Sequence, residues 1–146
     1  MLRITIFVAL LILTCGYALW RGGAPERAVG TALLAATAAS AVVRADVDHR
    51  FVEMETGLLI VDGVLLIVLV MVASRADRGW PLLVAGLHLV TVGAHVTKLV
   101  EPGMIPVTYA LLIALWSYPM LIALGIGTWR HHCRIRRHGT DHDWCD

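Results

Sequence analysis

Residues 57–100 read GLLIVDGVLLIVLVMVA, then SRADRG, then WPLLVAGLHLVTVGAHVTKLV. Two apolar runs flank a short polar break, and each approaches the roughly 20 residues that cross a hydrocarbon layer as a helix. A break this short predicts that the two helices form an antiparallel hairpin. The break carries Arg75 and Arg78, and Trp80 follows at once. Trp prefers the headgroup layer and Arg the cytoplasmic side of it, so the hairpin turn marks one face of a membrane.

Three further apolar runs lie outward from this hairpin, at about 2–20, 25–43 and 105–129. Trp20-Arg21 closes the first of them and Trp129-Arg130 closes the last. Five successive crossings put these two junctions on the same face as Arg78-Gly79-Trp80. The reading is an all-α integral membrane bundle of five transmembrane helices, with spans at about 2–20, 25–43, 57–73, 80–100 and 105–129. Residues 1–130 form that bundle, and residues 131–146 form a basic tail containing His and Cys.

Counting Lys and Arg by side sets the orientation. Arg21, Arg27, Arg75, Arg78, Arg130, Arg134, Arg136 and Arg137 share the face of the three junctions. Arg3, Arg44, Arg50 and Lys98 fall on the other. Positive-inside then predicts an N-terminus outside and a C-terminus in the cytoplasm. The acids Asp46, Asp48, Glu53 and Glu55 fall on the outer face.

Composition agrees with this architecture. Of 146 residues, 58% are hydrophobic and 16% charged, and mean hydropathy is +0.75. A soluble domain carries about a quarter charged residues. Twelve Lys and Arg nearly cancel eleven Asp and Glu, which leaves no electrostatic footprint for nucleic acid. Five spans leave no length for a soluble catalytic domain. Cys15, Cys133 and Cys145 form no CxxC pair and no disulfide framework. Ile12-Leu13-Thr14-Cys15 faintly resembles a lipoprotein cleavage box, but Thr14 suits it poorly, and cleavage would leave Arg21 and Arg27 outside.

The second span opens on Pro25-Glu26, a good first turn because Pro lacks the donor a helix start cannot use. Ala28, Ala32, Ala36 and Ser40 recur every four residues, with Gly30 alongside. Such a small-residue face lets backbones approach closely, which places this helix in the middle of the bundle. Pro119 removes a donor within the fifth span and predicts a kink there.

Asp62 is the leading candidate site residue. An ionisable group inside a span costs a few kcal/mol to insert, so it faces protein or water and finds a partner. The hairpin register places it level with about Val92, with His88 and His95 each within about 6 Å of that level. His88, Thr91, His95 and Lys98 follow steps of three and four, so they form one polar stripe on the fourth span. Tyr109 on the fifth span lies at a similar depth. A carboxylate and two imidazoles suit proton or ion handling. The plainer reading is an interhelical hydrogen bond that fixes register, with Lys98 reaching for the outer headgroups.

Other constellations are weaker. His88 and His95 share one helix, whereas paired axial haem ligands normally come from facing helices, so no cofactor is expected. Asp46, His49, Arg50 and Glu53 could share a helical face and hold a divalent cation, but Asp46 and Arg50 more simply form an ion pair. His131, His132, Cys133, His138, His142 and Cys145 lack the paired spacing of a zinc site. The tail's simplest role is electrostatic anchoring to an anionic leaflet, with Asp141-His142-Asp143-Trp144 free to dock on a partner. No P-loop, dinucleotide fingerprint, HExxH or nucleophile elbow occurs.

Pro25-Glu26-Arg27, the run Ser74-Arg75-Ala76-Asp77-Arg78-Gly79-Trp80-Pro81 and Gly127-Thr128-Trp129-Arg130-His131 are loop punctuation. Together with the basic tail they resemble small uncharacterised polytopic bacterial inner-membrane proteins. The resemblance implies a multi-pass location in a bacterial inner membrane and transfers no activity or site residue. The leading expectation is a non-enzymatic accessory or structural subunit of a homo-oligomer or larger inner-membrane complex, whose partners are the bilayer and other membrane subunits. The alternative is a minimal proton- or ion-coupled transporter or channel subunit using Asp62, His88 and His95.

Overall fold

The computed structural model describes residues 2–45, 51–100, 106–141 and 144. Among them the chain forms five α-helices: α1 (Leu2–Arg21), α2 (Ala24–Ala45), α3 (Phe51–Arg75), α4 (Trp80–Val100) and α5 (Pro106–His138). Four contain segments long and apolar enough to cross a membrane: Ile4–Arg21, Ala24–Arg44, Thr56–Arg75 and Trp80–Lys98. The helices begin and end close to the apolar runs, with two exceptions. α3 starts at Phe51 and so carries an extra polar turn before Gly57. α5 continues nine residues past Trp129, through the basic stretch to His138. Nothing in that stretch stops a helix, because Arg, His and Cys are all tolerated in helix interiors.

Helix ends follow local chemistry. Gly23 precedes α2, its carbonyl accepts from the Arg27 N–H at 3.0 Å, and its own N–H donates to Glu26 Oε2 at 3.1 Å. That is the carboxylate half of a capping box, a Glu in the first turn reaching back to an otherwise orphaned donor. α5 ends where Gly139 adopts φ +76° and donates its N–H to the Ile135 carbonyl at 2.9 Å. The left-handed conformation favours Gly and reverses the chain, which is why the last residues fold back. Trp144 then pairs with Ala76 in an isolated antiparallel bridge.

Each helix packs on its sequence neighbours, and α5 packs on α1, so the five form a closed ring. α2 and α5 also touch across it. Side-chain registers give the directions. Gly22, just after α1, faces Glu26 of α2, and four residues back Ala18 faces Gly30, as antiparallel neighbours require. Phe7 meets Tyr118 edge-on with ring centroids 5.8 Å apart, and seven residues further along both helices Thr14 meets Gly125. α1 and α5 are therefore parallel, as first and last members of a five-membered up-and-down ring must be.

The core is formed by Cys15 and Ala18, Val29 and Leu33, Leu65, Leu69 and Val72, Val84 and Ala85, and Met120, Leu121 and Leu124. Ala28, Ala32 and Ala36 of the small-residue face are half-buried against it. α4 and α5 approach closely at Gly127, where an added Cβ would lie 2.8 Å from the Trp80 indole. The α1/α2 turn, the α3/α4 turn and the end of α5 gather at one end of the ring, called the turn end below.

Candidate functional site

Two polar centres occupy different heights of the ring. The first lies within the α3/α4 hairpin. The hairpin brings Asp62 of α3 against α4, where His95 Nε2 approaches Asp62 Oδ2 at 2.8 Å. His88, two turns nearer the turn end, lies on the same face of α4. Its Nε2 donates to the Asp62 carbonyl oxygen at 3.0 Å and sits 4.0 Å from Oδ1 of the same residue. The carbonyl accepts only, so this bond requires the proton on His88 Nε2. His88 and His95 are buried, and the Asp62 side chain is 18% exposed.

Between the two histidines, Thr91 is buried and its hydroxyl finds no hydrogen-bond partner among the described residues. Lys98 is half-buried at the end of the stripe. Tyr109 belongs to α5, but its side chain lies outside the described residues, as do Asp46, Asp48, His49 and Arg50 and the side chains of Glu53 and Glu55. The structure therefore assembles Asp62, His88 and His95, places Thr91 between the imidazoles, and sets Lys98 beyond them.

A carboxylate beside an imidazole can share a proton. One proton shared by Asp62 and His95 leaves the pair neutral, whichever atom carries it. A second proton leaves it positive, and removal of the first leaves it negative. Charge changes of this kind are costly in an apolar surround and need water or a counter-ion to proceed.

The second centre is at the turn end, where four separate segments converge. Arg78, from the α3/α4 turn, donates through Nη1 to Glu26 Oε1 at 2.5 Å and through Nη2 to Asp141 Oδ2 at 2.7 Å. His131 Nδ1 meets the same Asp141 oxygen at 2.5 Å, and Arg134 Nε donates to Asp141 Oδ1 at 2.8 Å. With its proton on Nδ1, His131 donates to Asp141, and Arg78 Nη2, 3.1 Å away, lies beside the ring. Glu26 is fully buried, and the side chains of Arg78 and His131 are each 5% exposed.

Partial burial opposes ionisation of Asp141. The hydrogen bonds from Arg134 and His131, with the charges of Arg78 and Arg134, outweigh it and hold the carboxyl below its ordinary range. The bond to Asp141 likewise pushes the Arg134 guanidinium above its ordinary range.

This centre was not among the sequence candidates. The tail, expected as a separate anchor, is instead a continuation of α5 to His138, after which Asp141 docks on its own chain. The available signal was positional: the same-face rule already put Glu26, Arg78 and His131 together, and Asp141 is an acid following a Gly after a basic run. Among the described residues no three His, Cys, Asp or Glu side chains gather as a metal site.

No protein-family model, curated protein or solved structure matches this chain. Its function is therefore argued from the two centres alone.

Proposed function

We propose that the chain is a five-span integral membrane protein, N-terminus outside and C-terminus cytoplasmic, acting as a minimal proton- or ion-coupled transporter or channel subunit. α5 is the fifth span and the turn end faces the cytoplasm. The outer surface supports insertion: Leu13 is 71% exposed, Leu82 68%, and Ile60 and Ile67 61% each. Apolar exposure on several helices at once suits lipid far better than water.

The carrying observation is the 2.8 Å approach of His95 Nε2 to Asp62 Oδ2 inside two apolar helices. Intramembrane ionisable residues that pair with one another are the usual parts of proton relays. Here the imidazole exchanges the proton and Asp62 balances its charge. The test is flux of the full-length chain in vesicles containing a pH-sensitive dye, under an imposed potential. Asp62→Asn is expected to abolish proton flux while leaving the chain folded and assembled.

A second reading is favoured by the His88 bond to the Asp62 backbone carbonyl. That bond fixes the register of the hairpin whatever the charge of the carboxylate, as an accessory or structural subunit of a larger bacterial inner-membrane complex would need. Unchanged flux with altered assembly in Asp62→Asn selects this reading. Reporter fusions at both termini test the topology common to the two: a reporter active only in the cytoplasm is expected at the C-terminus and silent at the N-terminus.

A further inference from the structure

Beside the turn-end ion pairs, α4 and α5 line a cleft of about 810 Å³ that shares Arg78, Arg134 and Asp141 with the turn-end centre. Its α5 wall is Ile126, Arg130, Arg134 and His138. These residues are spaced by four, so they climb one helical face, apolar below and cationic above. Leu83 of α4 and Ala123 of α5 complete the apolar floor, and Trp80 stands where floor meets rim. Leu82 and Ile122, next in sequence to Leu83 and Ala123, are both more than half exposed. Arg130 is exposed and has no ionic partner among the described residues, while Arg134 commits only its Nε to Asp141.

We propose that this cleft is a binding site for one anionic phospholipid, its phosphate between Arg130 and Arg134 and an acyl chain along Leu83, Ala123 and Ile126. The gradient from apolar floor to guanidinium rim matches a lipid from chain to headgroup, and Arg suits phosphate because its planar fork donates in pairs. A free phosphate would use the rim and leave the floor bare, which is why the occupant is a lipid. Asp77, exposed on the facing wall, opposes the anion and sets a sign for the test. The proposal rests on the membrane-spanning reading above.

The test begins with the full-length chain in native membranes. If alkaline carbonate extracts it, the spanning reading fails and the lipid site falls with it. With the chain retained, native mass spectrometry in mild detergent compares phosphatidylglycerol, phosphatidylcholine of the same chains, and glycerol phosphate without chains. One phosphatidylglycerol per chain is expected, preferred over phosphatidylcholine and not replaced by glycerol phosphate. Arg130→Gln is expected to weaken phosphatidylglycerol binding about fivefold, the worth of one interfacial arginine. Arg136→Gln/Arg137→Gln, both exposed and outside the cleft, leaves it unchanged, and Asp77→Asn strengthens it. Equal loss in the Arg136/Arg137 variant, equal retention of phosphatidylcholine, saturation by glycerol phosphate, or weakening by Asp77→Asn overturns the site while leaving the spanning reading intact.

Discussion

The two polar centres differ in how far the chain must travel to build them. Asp62, His88 and His95 meet within one hairpin, where a single turn fixes the register of two neighbouring helices. Glu26, Arg78, His131 and Asp141 come from the start of α2, the α3/α4 turn, the last turns of α5 and the segment after Gly139. The hairpin centre holds one carboxylate between two imidazoles that can be neutral. The turn-end centre is built on guanidinium–carboxylate pairs, one of them with the fully buried Glu26. The first joins two neighbouring helices through one carboxylate, whereas the second ties four segments together and must keep all its partners to hold them.

Arg78→Ala tests it most severely. It takes the guanidinium from the buried Glu26 and leaves Asp141 only Arg134 and His131, and loss of one partner from a buried ionic network costs about 3–5 kcal/mol. Unfolding of the full chain by denaturing detergent should show it, with Glu26→Gln/Arg78→Met losing much less than Arg78→Ala alone. A small loss in Arg78→Ala would mean that the turn end is wet and clamps nothing.

Asp62→Asn keeps the shape of the side chain and removes its charge. Its stability loss should be about 1–3 kcal/mol, the range for disturbing a buried hydrogen bond, read in the same unfolding assay. A loss as large as that of Arg78→Ala would erase the contrast between the two centres.

Gly139→Ala forces a Cβ into the left-handed turn after α5, at about 1–2 kcal/mol. The expected readout is faster proteolysis beyond His138 with the helices still protected. Protection equal to that of the unaltered chain would show that Asp141 docks without the turn.

The mildest effect is acidity. Asp141 titrates lower when docked than its ordinary value of 3.8, so its contribution is complete at neutral pH. It drains away only as pH falls from that ordinary value through the lower, docked one. Hydrogen exchange at Thr140 and Asp141 should therefore stay slow at pH 5 and accelerate below about pH 4. Release between pH 5 and 7 would point to a histidine instead of Asp141.

What was legible in the sequence was whatever depends on local period and on distance from a turn. Apolar runs between Trp/Arg junctions give the helices, and fifteen residues on α3 against the matching rise on α4 bring Asp62 to the His88/His95 stripe. Steps of four place Ala28, Ala32 and Ala36 on the inward face of α2. The turn-end network has no such period. Its members share a height but not a helix, and no spacing rule selects Arg78 over Arg75 to reach Glu26. The extension of α5 escaped for another reason: a basic stretch reads as a solvated tail by composition, while its helicity is set by Gly139, eight residues beyond His131.

The parallel seam between α1 and α5 bears on biogenesis. Because the chain leaves the ribosome amino end first, α1 waits with Phe7 and Thr14 uncovered until Tyr118 and Gly125 have been made. Helices α1 to α4 alone form an open arc, and residues 106–141 both shut that arc and deliver His131 and Asp141 to Arg78. Nascent chains halted before α5 should consequently be the species that quality-control proteases recognise.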